Sequence, residues 1–92
     1  MVQIVDPQAS IEAQAERLRL LVGLTVAETR VAALLGSGLG LTETASALGV
    51  SLNTVKTQAR QVFAKAGVHS SAALARLVAS IPVGPPHLAK SS

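Results

Sequence analysis

Asn53, Lys56, Thr57 and Arg60 are the side chains in this sequence whose types and spacing best suit a chemical task. An amide can pair with a base edge, a hydroxyl with a base or a phosphate, and cations with phosphates. A helix turns roughly 100° per residue. On that wheel Asn53, Thr57, Arg60 and Ala64 share one face, with Lys56 and Gln61 at its shoulders. The opposite face holds Val55, Ala59, Val62 and Ala66, flanked by Leu52 and Phe63, and no acid occurs between Leu52 and Ala66. Such a rod has an apolar back and a cationic front of the kind the major groove of duplex DNA admits. Residues near the amino end reach deepest, so Asn53 and Thr57 suit base edges. Arg60 suits a guanine or a phosphate, and Lys56 a phosphate. Ser51 and Thr54 stand at the helix start, where unpaired N–H groups and the dipole attract an anion. A polar helix face with two cations is more commonly plain solvated surface, so the neighbouring elements must decide.

Those elements are helical. Ser10 can cap a helix from about Ile11 to Val22, with Ile11, Ala15, Leu18 and Val22 on one face, and Gly23 stops it. Thr25 with Glu28 three residues on is a capping-box pattern opening a second helix. Val31, Leu34 and Leu35 form its stripe, and Gly36, Gly38 and Gly40 break it. A short helix follows from about Leu41 to Leu48, with Gly40 as cap and Glu43 reaching back to its N–H. Gly49 ends it, and Ser51 caps Leu52–Ala66. Two short helices joined by so tight a turn form the centre of a helix-turn-helix. Gly67 ends the fourth helix. Ser70 or Ser71 starts a fifth, to about Ser80, with Leu74, Leu77, Val78 and Ile81 at helical spacing, a pattern that more often marks core than interface. The fold class expected is therefore all-α. Pro82, Gly84, Pro85 and Pro86 argue for a flexible tail over 82–92.

The 92 residues suffice for one domain. Hydrophobic residues make up 49% of them, mostly Ala, Leu and Val, with a single aromatic, Phe63. That is more apolar surface than one small core hides, which hints at self-association. Charge is segregated. Residues 1–43 set three arginines against five acids, whereas residues 44–92 carry Lys56, Arg60, Lys65, Arg76 and Lys90 with no acid. An acid-free basic half points to a polyanion, either nucleic acid or an anionic membrane surface. The scarcity of aromatics argues against single-stranded nucleic acid, whose bases stack on rings. No stretch approaches the roughly 20 apolar residues needed to span a bilayer, and the amino terminus lacks a signal-peptide pattern. There is no cysteine. His69 and His87 are isolated, so neither a metal site nor a cofactor is expected. The serines and threonines have no base at a plausible offset, so no enzyme is expected.

Residues Leu24–Leu77 resemble the LuxR-type (GerE-like) DNA-binding domain of bacterial transcriptional regulators. The matching features are Leu24-Thr25 with Glu28, Gly38-Leu39, Glu43 with Ala45, Leu48-Gly49-Val50-Ser51, Thr54-Val55-Lys56, and Lys65 with Gly67-Val68. Each alone is weak; their order and spacing together are specific. The resemblance implies a four-helix DNA-binding domain, here with an extra amino-terminal helix. It implies that Leu52–Ala66 lies in the major groove and that the last helix forms a homodimer, with Leu74, Leu77 and Val78 as the interface residues. The DNA-contacting positions it implies are Ser51, Asn53, Thr54, Lys56, Thr57 and Arg60. Lys65 matches a further basic position, off the groove face, where it would serve a phosphate or an intramolecular pair. The domain organisation expected is residues 1–9 as a remnant of an upstream sensor domain, 10–23 as a linker helix and 24–81 as the DNA-binding domain. The expected partners are double-stranded DNA and a second copy, in the cytoplasm, with RNA polymerase as a further candidate and no membrane.

The sequence also departs from the family pattern. Gly40-Leu41-Thr42 replaces a turn that commonly carries a Lys, Thr44 a usual aliphatic, Gln58 a frequent His, Ala66 a Leu and Ser71 a frequent Arg. Two cations near the phosphates are thus missing. Two alternatives stand beside the DNA-binding regulator. One is a helical protein-interaction module that has lost DNA binding; the other is a sigma-factor-like promoter-binding helix-turn-helix working within RNA polymerase.

Overall fold

The computed structural model describes residues 7–82. Among them are five helices and no strand: α1 Pro7–Val22, α2 Val26–Gly36, α3 Leu41–Leu48, α4 Leu52–Ala66 and α5 Ser71–Ala79. The short β-prone run Val2–Val5 and the tail from residue 83 on, both assigned from sequence, lie outside the described residues.

The helix ends obey local rules. Thr25 Oγ1 accepts from the Glu28 N–H at 3.1 Å and Glu28 Oε1 accepts from the Thr25 N–H at 2.9 Å, the reciprocal pair that starts α2. Gly40 has no side chain to cap α3, but Glu43 Oε1 accepts its N–H at 2.9 Å. Ser70 Oγ accepts from the Ala73 N–H at 3.0 Å at the start of α5. Gly49 and Gly67 close α3 and α4 with φ of +70° and +73°, a left-handed conformation that costs other residues about 1 kcal/mol or more. One boundary differs from expectation. α1 begins at Pro7 and not after Ser10, because proline is preset for the first helical position, where its missing N–H would have no partner.

α2 is the central element and touches each of the other four helices. Its Val31, Ala32 and Leu35 are buried together with Leu18 of α1, Ala59 and Val62 of α4, and Leu74 and Val78 of α5. α1 is part of this same core: Ala15 and Leu18 are buried, and Gln14 Nε2 donates to the Ile81 and Ala79 carbonyls at 3.0 and 3.3 Å, at and just past the end of α5. The boundary drawn from sequence at residues 23 and 24 therefore passes between helices that share one core. α3 packs mainly on α4, and its Thr44 is wholly buried.

Thr44 Oγ1 has no hydrogen-bond partner. A buried hydroxyl left unpaired forfeits its hydration with nothing in return. Thr44→Val keeps the shape and removes that loss, so the midpoint of urea unfolding should rise by the equivalent of about 1 kcal/mol. An unchanged or lowered midpoint would mean that the hydroxyl finds a partner in solution.

Candidate nucleic-acid interface

α3 and α4 are joined by only Gly49, Val50 and Ser51. The Val50 N–H returns to the Ala45 carbonyl at 3.1 Å, so the chain reverses without a loop. Ser51 then caps α4: its Oγ accepts from the Thr54 N–H at 3.1 Å and lies 2.9 Å from Thr54 Oγ1. Both hydroxyls are exposed. The first N–H groups of a helix have no partner within it, so this end presents donors to solvent.

From that start α4 divides cleanly. Val55, Ala59 and Val62 are buried at 0%, 3% and 0% exposure. Asn53, Lys56, Thr57, Arg60, Gln61 and Ala64 are exposed. Asn53, Thr54, Thr57 and Gln58 border a shallow open depression at the amino end of the helix. The structure thus brings six of the seven residues singled out from sequence for DNA contact (Ser51, Asn53, Thr54, Lys56, Thr57 and Arg60) onto one exposed surface without an acid.

The last turn of α4 has a different occupation. Lys65 Nζ donates to Glu28 Oε1 at 2.7 Å and to the Gly23 carbonyl at 3.2 Å. Glu28 is buried at 7% exposure. The Lys65 ammonium, followed by the Thr25 N–H, holds the Glu28 carboxyl below its ordinary value. Among the described residues no group of His, Asp and Glu could hold a metal ion, and no helix is long and apolar enough to cross a membrane.

The family model of the bacterial regulatory proteins, luxR family (GerE), matches residues 22–78, well over half of the chain and all of α2–α4 with nearly all of α5. The chain belongs to the luxR family. It is a DNA-binding helix-turn-helix domain of the regulator kind, with α1 preceding the matched region. No curated protein and no solved structure matches it.

The structure bears on two expectations for this luxR-family domain. Lys65 takes the intramolecular pair, one of the two roles that its position off the groove face left open. It is committed to a buried carboxylate, and leaving for DNA would strand that charge. Leu74 and Val78 are not available as an interface, because both are at 0% exposure inside the chain's own core. Leu77 is half-buried against the same core. Helical spacing of apolar residues has the same appearance whether the face meets its own chain or a partner. Glu28 was legible in the sequence as a cap, but nothing local to it signals a partner 37 residues away.

The pair has a measurable signature. Glu28→Gln keeps an acceptor for Thr25 and removes the charge, and should lower stability at pH 7 by about 1 kcal/mol. Glu28→Ala also removes the cap and should cost about 2 kcal/mol. Unfolded Glu titrates near about 4.3, and the folded group titrates lower. The pair therefore stabilises fully above that range and is lost as pH falls through the depressed folded value. Urea unfolding of parent and Glu28→Gln should differ at neutral pH and converge in acid. A gap that stays constant with pH would show that the charge is not what matters.

Proposed function

We propose that the chain is the sequence-reading output domain of a bacterial transcription regulator, with α4 seated in the major groove of duplex DNA. The observation that carries this is the exposed, acid-free surface of α4, backed by its buried Val55, Ala59 and Val62 and presented after a three-residue turn. Asn53 and Thr57 face base edges. Arg60 takes a guanine edge or a phosphate, where its planar fork can bond in pairs. Lys56 pairs with a phosphate at the groove wall. The opening N–H groups of α4, with the Ser51 and Thr54 hydroxyls, take a second phosphate at the positive end of the helix dipole. Contact with the bacterial chromosome places the protein in the cytoplasm.

The domain acts as a homodimer on a roughly palindromic site with half-sites about 34 Å apart, one turn of duplex, or a multiple of that. The interface residues assigned from sequence do not serve, since Leu74 and Val78 are enclosed by their own chain. With Lys65 neutralised, Lys56 and Arg60 carry the cationic charge of α4. Affinity then rests on few phosphate contacts and must depend on each of them.

Lys56→Ala and Arg60→Ala should leave the helices intact by circular dichroism and weaken binding to duplex DNA. Each should flatten the slope of log affinity against log salt by about one unit. Lys65→Gln should leave that slope unchanged while lowering thermal stability. Fluorescence anisotropy over a salt series checks all three. Parental binding by both α4 variants at low salt would remove this surface from the role.

A further inference from the structure

Arg60 can meet either a guanine or a phosphate, and the geometry of α4 decides between them. At about 100° per residue, Arg60 returns to within about 20° of Asn53 on the helix surface. Lys56 stands about 60° to one side of Asn53 and Gln61 about 80° to the other. Thr57 lies close to the Asn53–Arg60 line, about 40° from Asn53. A helix in the major groove turns one stripe toward the base edges and its shoulders toward the sugar-phosphate walls. With Asn53 aimed at bases, Arg60 is aimed at them too, and Lys56 takes the wall. Both stripe residues are exposed. Among the described residues, neither is held by a hydrogen bond or an ion pair within the chain.

The head groups then choose the bases. An asparagine amide sets a donor beside an acceptor, which matches adenine N6–H and N7. Guanine shows two acceptors on that edge and satisfies only half of the amide. A guanidinium has donors alone, which match guanine O6 and N7 and have nothing to offer adenine N6–H. Asn53 is the one amide on the stripe: Gln58 is half-buried, about 140° away. Arg60 is the one guanidinium of α4. The Thr57 hydroxyl bonds to any base and adds little choice. α4 has no carboxylate, so nothing on it singles out the cytosine amino group. The two selective residues are seven apart. At about 1.5 Å of rise per residue they stand about 10 Å apart along the groove, or about three base pairs.

We propose that α4 reads an A·T pair through Asn53 and a G·C pair about three base pairs away through Arg60. This rests on the seating of α4 in the major groove and adds the base that each side chain selects. Selection of bound duplexes from a random pool gives the preferred site of the parent. Fluorescence anisotropy on that site with single base pairs replaced then measures each preference. The site should hold an adenine and a guanine at that spacing, and replacing either pair should weaken binding about tenfold or more. Asn53→Ala should remove the penalty at the A·T pair and keep the one at the G·C pair. Arg60→Ala should do the reverse. Lys56→Ala should weaken binding to every duplex alike and keep both preferences. A selected site without the two bases near that spacing overturns the assignment. So does an Asn53→Ala variant that still prefers adenine. An Arg60→Ala variant that binds all duplexes more weakly yet still prefers guanine puts Arg60 on a phosphate and overturns it as well. In each of these cases, duplex binding by the parent that falls steeply with salt leaves the seating of α4 standing. A parent with no such binding overturns the seating and the base assignment together.

Discussion

One carboxylate oxygen holds three parts of the chain in register. Glu28 Oε1 receives the Thr25 N–H at the start of α2 and the Lys65 ammonium from the last turn of α4. That ammonium also reaches the Gly23 carbonyl, just past the end of α1. Apolar burial draws α4 onto α2, but it is non-directional and leaves a helix some freedom to roll on its contacts. A charge-assisted hydrogen bond is short and directional. Placed at the far end of α4 from Ser51, it adds a directional contact to the packing of Val55, Ala59 and Val62. Asn53, Thr57 and Arg60 face outward because Val55, Ala59 and Val62 on the opposite side are buried.

The same economy governs α5. Its apolar stripe closes the floor of the domain, with Leu74 and Val78 packed among residues of α2 and α1. α1 adds Ala15 and Leu18, and Gln14 ties its side to carbonyls at the end of α5. The three-helix arrangement of α2, α3 and α4 would expose much of α2 by itself. α1 and α5 cover two of its sides and leave Val26 exposed. Apolar side chains also stay exposed at Val50 and Leu52, in the turn and at the first position of α4.

Much of this was legible in the amino-acid order because its causes are local. Thr25 with Glu28, Gly40 with Glu43, Ser51, Ser70 and the glycines at 49 and 67 each act within a few residues, and each does in the structure what its spacing suggests. The two faces of α4 follow from helical period alone. What could not be read depends on distance along the chain. The partner of Lys65 is 37 residues away, and no pattern rule joins them. Whether Leu74 and Val78 face their own chain or a second one depends on where α1 and α2 end up. Thr44 stood out as a polar residue at a usually aliphatic position, but only packing reveals that its hydroxyl is enclosed and unpaired.

The sequestering of Lys65 also shapes how the domain meets a polyanion from a distance. Its charge is answered by Glu28, so the outward cations of α4 are Lys56 and Arg60, both within the first nine residues of a helix of fifteen. The helix dipole adds its positive pole at the same end. A polyanion approaching α4 therefore meets positive potential along the first nine residues of the helix and none from side chains beyond them, so its strongest hold is on the half that begins at Ser51.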